Sequence, residues 1–397
     1  MITRQEFPYL QELVINDAYA VKNLRVPVFE PGQEFKHLVL TGRNGSGKTT
    51  VLRALDEIIP DLQFSDKHRY AADGGFKDSQ QRVSAQFRLT QNGLSSNYPT
   101  QFLDKRSNMI AFFEANRTIQ MKEVSTVMRE DSLENQFLQP NSRVAPAELF
   151  KQYIVNKKVF QVFDAMDGKT EGAKQQEEFF TKLENTLAEI FNDPDTKLEF
   201  VRENFEFYIT LSDGRRFTFN QLSAGFSAFL SILMDLLMRT DLLRKQANDY
   251  TYDPCGFVLI DEPETHLHLE MQYQILPLLT SLFPNLQFIV ATHSPAVASS
   301  IKNATVFDLS TGQALGDTAA GSSFSELMQT HFGLENEYSN VADQILAEVA
   351  AIGELPDRAA ARERLQRLLD EQGKYMSPVL KLDVQAHLLH LQREQAA

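Results

Sequence analysis

The chain has 397 residues, 43% of them hydrophobic and 23% charged, which excludes a disordered polymer or a fibrous repeat and allows several average domains or one large domain with insertions. Its single cysteine, Cys255, excludes an intramolecular disulfide and any cysteine-based metal site. A net charge of −14 opposes a surface broadly adhesive to nucleic acid, although it leaves room for a local basic groove.

The N-terminus, Met1 to Phe7, lacks the basic stretch and apolar run of a secretory signal, so a cytoplasmic protein is expected. Leu13-Val14-Ile15 and Leu24 to Val28 read as short strands, and His37-Leu38-Val39-Leu40 as a third that runs into a glycine-rich turn. Val51, Leu52, Leu55, Ile58 and Ile59 then recur at helical spacing until Pro60, which should stop the helix. Val83, Ala85, Phe87 and Leu89 alternate like a half-exposed strand, and Met109 to Phe113 reads as another. Between 131 and 196 the character turns helical, with Phe179, Phe180, Leu183, Leu187, Ile190 and Phe191 on one face of a helix ending at Asn192-Asp193-Pro194.

Leu198 to Leu211 reads as one strand of a hairpin, turning at Ser212-Asp213-Gly214 into Arg215 to Phe219. The apolar run Ala228 to Met238 is interrupted by Asp235 and falls short of the roughly 20 residues a membrane span needs. Phe257 to Ile260 and Phe288 to Ala291 are uninterrupted and rich in branched side chains, as strands buried on both faces of a parallel sheet are. From about Glu326 the pattern is helical, with Leu365, Leu368, Leu369, Leu388, Leu389 and Leu391 as packing positions. Strands alternating with helices predict a layered α/β core.

Four elements carry chemistry. Gly42-Arg43-Asn44-Gly45-Ser46-Gly47-Lys48-Thr49, followed by Thr50, fits the phosphate-loop pattern G-x-x-x-x-G-K-S/T between a strand and a helix. In that pattern the backbone amides of Gly42, Asn44, Gly45, Ser46 and Gly47 curl around phosphates, Lys48 reaches the β and γ oxygens, and the Thr49 hydroxyl ligates Mg²⁺. Asp261-Glu262 ends a buried strand, where two acids are costly unless a cation waits there. Such a pair alone could be a helix cap; beside a phosphate loop it reads as Asp261 holding Mg²⁺ through water and Glu262 acting as general base. His293, in Ala291-Thr292-His293-Ser294-Pro295, stands after the second buried strand as either a packed histidine or a γ-phosphate contact. Leu222-Ser223-Ala224-Gly225 opens an apolar helix as either an ordinary N-cap or an anion site.

In this order and spacing, over about residues 10 to 310, the elements resemble ABC ATPase heads. Leu222 to Gly225 resembles the signature motif and His293 the switch histidine, and Asp261-Glu262-Pro263-Glu264-Thr265-His266-Leu267-His268 is similar to the OLD-like and SMC-like branch. The resemblance implies an α/β head with a mixed, largely parallel sheet, divided into an N-terminal lobe (1–130), a helical insertion (131–196), a second lobe (197–312) and a helical C-terminal region (313–397). It also implies a head-to-tail homodimer with ATP and Mg²⁺ between the heads, each site using Lys48, Glu262 and His293 of one chain and Ser223 and Gly225 of the other. Phe226 departs from the pattern, since many relatives have glutamine there. Gln91 and Gln120 are candidates to sense the γ-phosphate or are ordinary loop residues, Arg117 is a phosphate or interface contact or simply ends a strand, and Tyr19 is either an adenine-stacking residue or an ordinary core or surface tyrosine. His266 and His268 lack a third ligand nearby.

The insertion is too short for the long arms of chromosome-organising relatives. Asp343, Asp357, Asp370 and Asp383 lie too far apart for the metal site of an OLD nuclease. The resemblance that remains is to the ATPase subunits of Septu and similar prokaryotic anti-phage systems, which implies a separately encoded effector, a toxin or nuclease, as partner. A DNA-repair or recombination clamp is the alternative, with Arg215 and Arg216 as local basic residues, and a transporter motor subunit comes third.

Overall fold

The uninterrupted apolar runs of the second half lie side by side in one parallel sheet. The computed structural model describes residues 2–18, 21–61, 76–77, 80, 82–87, 108–117, 121–129, 132–133, 146–315, 327 and 340–396. An antiparallel pair, β1 (Leu10–Ala18) and β2 (Val21–Pro27), leads to β3 (His37–Thr41), the phosphate loop and α1 (Lys48–Asp61). Short strands β4 (Phe76–Lys77), β5 (Val83–Phe87) and β6 (Met109–Phe113) follow, then a pair of helices, α2 (Pro146–Met166) and α3 (Thr170–Phe191). Next come β7 (Lys197–Val201), β8 (Glu206–Thr210), β9 (Arg216–Thr218) and the long α4 (Ala224–Ala247). The head continues with β10 (Gly256–Asp261), α5 (Leu269–Leu282), β11 (Leu286–Ala291), α6 (Pro295–Ala298), β12 (Ala304–Asp308) and β13 (Gln313–Ala314).

The main sheet has the order β13-β12-β3-β11-β10-β6, parallel throughout except for β13. Alternation along its strands explains their long apolar runs. Val39, Val258, Ile260, Phe288 and Val290 enter one core, with α4 and the α2–α3 pair. Leu38, Leu40, Phe257, Leu259, Ile289 and Ala291 enter the other, with α1 and the antiparallel sheet β2-β1-β5-β4. Each such side chain contributes about 1.5–3 kcal/mol by leaving water, and a strand with helices or a sheet on both faces must be apolar at every position.

Polar side chains join the layers. The amide of Gln287, fully buried, exchanges hydrogen bonds with the backbone of Leu10 at 2.8 and 2.9 Å, beside an irregularity in the β1–β5 register. Lys151 of α2 is 1% exposed and reaches Glu206 of β8 at 2.6 Å and Glu123 at 3.1 Å. Asp235, buried within α4, is paired along both carboxylate oxygens with Arg239 Nε. Among the described residues no helix is long and apolar enough to cross a membrane.

Three expectations change. Leu198 to Leu211 is two strands, β7 and β8, paired in register Leu198↔Ile209 and Phe200↔Phe207. The turn between them, Arg202 to Phe205, has no glycine or proline to mark it and puts Phe205 at φ 51°. Pro60 lies inside the last turn of α1, not beyond it. Leu389 is exposed, and Leu391 has a side chain outside the described residues. Leu89 also lies outside them.

The chain divides into two compact units, Met1–Gly333 and Leu334–Ala397. The second holds α7 (Asn340–Gly353), α8 (Arg358–Gln372) and α9 (Pro378–Ala396) around its own core of Ile345, Val349, Leu365, Leu368, Leu380 and Val384. Since α9 buries Leu380, Val384 and, in part, Leu388 at spacing of four, Leu389 falls off that face.

Candidate functional site

Every parallel strand ends at the same sheet edge, and in open α/β sheets ligands bind outside the carboxyl ends of the strands. β3 ends at Thr41 and passes directly into Gly42, β10 ends on Asp261, β11 on Ala291 and β12 on Asp308. Backbone bonds continue past the strand ends. Glu262 N–H donates to Ala291 O at 2.8 Å, Thr292 N–H to Leu40 O at 3.0 Å, and Leu309 N–H to Thr41 O at 3.0 Å. Loop residues are therefore clamped rather than free.

The phosphate loop has the backbone that only glycine accepts at two tight positions. Gly42 has φ 134° and Gly47 φ 92°, and a Cβ on Gly47 would stand 2.6 Å from the carbonyl oxygen of Ala18. Asn44 and Gly45 are exposed at the crest, whereas Ser46, Gly47 and Lys48 are buried. Lys48 Nζ donates to Gly42 O at 2.9 Å and Arg43 O at 3.3 Å, so the ammonium group lies in the curl of its own loop. Burial lowers the Lys48 pKa, opposed by the charges of Glu262, Asp261, Glu264 and Asp308.

Thr49 and Asp261, 212 residues apart, meet directly. The Thr49 hydroxyl donates to Asp261 Oδ2 at 2.9 Å, while Asp261 Oδ1 is buried without a hydrogen-bond partner. Desolvation raises the Asp261 pKa, an effect that Thr49, Arg117 and Lys48 oppose. Thr50 is half-buried in the first turn of α1. Glu262 follows in the left-handed region, φ 49°, a conformation that costs a non-glycine residue about 1–3 kcal/mol unless its surroundings hold it there. Its Oε1 stands 3.2 Å from His293 Nε2. Burial, and then a hydrogen bond and the charge of the neighbouring Glu264 carboxyl, push Glu262 up to about 9. His293 shifts the other way, lowered by burial and by Lys48.

Several neighbours of the site had no role assigned to them from the sequence. Glu264 Oε1 accepts the backbone N–H of His293 at 2.7 Å. Ser310 Oγ accepts the backbone N–H of Arg43 at 2.7 Å, and the buried Asp308 accepts from Ser310 N at 2.7 Å, so the end of β12 supports the phosphate loop from below. Ser294 Oγ donates to Gln272 and caps α6 by accepting from Val297 N. A strand-end acid or serine was the available signal, but acids and serines end many strands.

Arg117, half-buried, makes no hydrogen bond to the phosphate loop among the described residues. Its guanidinium donates to the carbonyl oxygens of Glu114, Asp261 and Glu262. Ser223 is the exposed N-cap residue of α4 and makes no side-chain cap. Gly225 is buried, and a Cβ there would come within 2.2 Å of His266 O, so the signature turn packs on the turn after the strand-end acids. No hydrogen bond among the described residues joins Ser223 or Gly225 to the phosphate loop of the same chain. Phe226, the departure from the family pattern, packs on Phe191 of α3 with ring centroids 5.2 Å apart. His266 has φ 63° and His268 is the N-cap residue of α5. Tyr19, Gln91 and Gln120 lie outside the described residues.

The chain is similar in sequence to known proteins. Residues 156–299, which include the strand-end acids and His293 but not the phosphate loop, match the family described as "AAA domain, putative AbiEii toxin, Type IV TA system". The chain is 23% identical over 395 residues to "Septu protein PtuA" of Bacillus thuringiensis, covering 95% of this chain and 94% of that protein. It is 41% identical over 93 residues to "Retron Ec83 probable ATPase" of Escherichia coli, covering 23% of this chain and only 17% of the retron protein. A solved structure, "Crystal structure of the SmcHead bound to the C-winged helix domain of ScpA", matches at a TM-score of 0.38 and 14% identity over 76% of this chain and 94% of that one. With Thr49 meeting Asp261 beside Glu262 and His293, the chain carries the site of a P-loop ATPase, and it is similar to the Septu protein almost from end to end.

Proposed function

We propose that the chain binds and hydrolyses ATP as a dimeric switch, and that it is the regulatory ATPase of a prokaryotic anti-phage complex whose effector is encoded separately. The observation that carries the catalytic part is the convergence of Lys48, Thr49, Asp261, Glu262 and His293 at one sheet edge from three separate segments. The similarity to the Septu protein along almost its whole length supports the biological part.

In this reading the phosphate-loop amides and Lys48 hold the triphosphate, with Lys48 exchanging its two loop carbonyls for phosphate oxygens. The oxygen donors present fit Mg²⁺. Asp261 Oδ1 is buried and unpartnered beside the Thr49 hydroxyl, and hard cations take oxygen ligands. Bound there by Thr49 and Asp261, the ion would neutralise charge on the phosphate oxygens. Glu262 takes the proton of the attacking water, and His293 orients that carboxyl from 3.2 Å. Burial and the neighbouring Glu264 carboxyl raise the Glu262 pKa in the nucleotide-free chain, as suits a group that must accept a proton. Ser223 and Gly225 of a second copy would close each site, since neither bonds to its own phosphate loop.

Native mass spectrometry of the protein, purified with its neighbouring gene products in ATP and Mg²⁺, tests the reading. Wild type is compared with Glu262→Gln. An even-numbered, ATP-loaded assembly of Glu262→Gln carrying a second protein is expected. A bare monomer in every nucleotide state would overturn both the dimer and the switch.

A further inference from the structure

Arg117 holds the two residues on which hydrolysis turns, yet it lies far from both in sequence. β6 runs parallel to β10 with Phe113 opposite Ile260, and the chain leaves the ladder at Glu114. From there the Arg117 side chain reaches back. Nη1 donates to Glu114 O at 2.8 Å and Asp261 O at 2.7 Å, and Nη2 to Glu262 O at 2.7 Å. The guanidinium fork thus replaces the backbone donors that a longer β6 would have supplied. On the opposite side, Glu262 N–H is taken by Ala291 O of β11 at 2.8 Å. Gripped from both sides, the Asp261–Glu262 segment ends with Glu262 at φ 49°.

We infer that Arg117 is a positioning residue for hydrolysis: its fork on the Asp261 and Glu262 carbonyls holds Glu262 in the left-handed backbone that aims its carboxyl at His293. The inference rests on the reading of Glu262 as the base. It goes beyond that reading by assigning the aim of the base to the loop after β6. A planar, five-donor guanidinium serves two carbonyls at once, which a lysine ammonium cannot do with the same geometry. The side chain is not optimised for stability alone, because its Nε is buried without a hydrogen-bond partner. Without the fork, Asp261 O loses its guanidinium donor and Glu262 O is left with the Thr265 N–H and hydroxyl at 3.2 and 2.8 Å, so the segment is no longer tied to the loop after β6 and Glu262 is freer to return to an ordinary conformation. The reacting carboxyl would then be misdirected while the phosphate loop stayed intact, and a displacement of about 1 Å at such a group costs about 10²-fold in rate.

The test is single-turnover hydrolysis of radiolabelled ATP and affinity for a fluorescent ATP analogue in the full chain. The variants are Arg117→Lys, Arg117→Ala, Glu262→Gln and the Arg117→Ala, Glu262→Gln pair. Arg117→Ala is expected to hydrolyse about 10²-fold more slowly with ATP affinity within about threefold of wild type, and Arg117→Lys to fall between. Added guanidinium ion should restore part of the Arg117→Ala rate. In the Glu262→Gln background the change at 117 should add nothing, because both act through one carboxyl. Hydrolysis within about threefold of wild type in both Arg117 variants, a matching loss of ATP affinity, or fully additive losses in the pair would each overturn the inference. Normal hydrolysis by Glu262→Gln alone would remove its premise, an outcome read at position 262 whatever happens at 117.

Discussion

His293 is tied to two carboxyls at once: its Nε2 stands 3.2 Å from Glu262 Oε1, and its backbone N–H donates to Glu264 Oε1 at 2.7 Å. The ring and the main chain of one residue thereby register the end of β11 against the turn after β10. His293→Ala removes only the first of these links. Hydrolysis is expected to fall about 10- to 100-fold with ATP affinity nearly unchanged, since the phosphate loop is untouched. Equal losses of affinity and rate would show instead that His293 serves mainly in binding.

Gly225 and Ser223 should separate packing from pairing. A Cβ at Gly225 would collide with the His266 carbonyl, so Gly225→Ala is expected to lower stability by about 1–3 kcal/mol and to shift the turn after the strand-end acids. Ser223 is exposed and makes no cap bond, so Ser223→Ala should change stability by less than about 0.5 kcal/mol while weakening ATP-dependent dimerisation. Thermal unfolding and light scattering read the two effects. Unimpaired dimerisation of Ser223→Ala would count against the head-to-tail arrangement.

Ser310 offers a probe of the phosphate loop from outside the motif. Ser310→Ala removes the acceptor of the Arg43 N–H and leaves Asp308, already buried with Oδ2 unpartnered, without its indirect hold on the loop. One hydrogen bond of about 1 kcal/mol corresponds to a roughly fivefold weaker affinity for ATP, measurable by titration with a fluorescent analogue. An unchanged affinity would mean that the glycines alone shape the loop.

His37 sets an acid limit on stability. Its ring is buried between Phe35 and Phe288, its Nδ1 accepts the backbone N–H of Phe288 at 3.1 Å, and burial, then the charge of Arg4, lower its pKa to about 4. With a folded-state value below the unfolded one near 6.5, the contribution is complete above pH 6.5, where both states are neutral. It declines as pH falls, because the unfolded chain takes up the proton first, by up to about 3 kcal/mol at pH 4. Denaturant titrations at several pH values should show this slope in wild type and a shallower one in His37→Gln. Identical slopes would remove His37 as the cause.

The order of strands along the main sheet explains what could be read in advance and what could not. The strand before Gly42, the helix after it and the two apolar strands of the second half were legible, because glycine geometry and burial on both faces are local demands written into adjacent residues. Those strands also announced their chemistry, since Asp261-Glu262 and His293 stand at their ends. The split of Leu198 to Leu211 into β7 and β8 was not legible, because the turn from Arg202 to Phe205 has neither glycine nor proline and puts Phe205, not Asn204, in the left-handed region.

By itself, then, the sequence determined that a phosphate loop, a pair of strand-end acids and a strand-end histidine exist, each as a local motif with its own backbone requirement. Tertiary structure alone decided what surrounds them. Arg117 reaches Asp261 across 144 residues, Ser310 reaches Arg43 across 267, and Gly225 meets His266 where two turns cross. Such contacts depend on β3 lying between β11 and β12 and on β6 bordering β10, an order that interleaves distant segments. The physical reason is that hydrogen bonding between parallel strands and packing on both faces select that order collectively, whereas a periodicity in sequence reports only on the element that contains it.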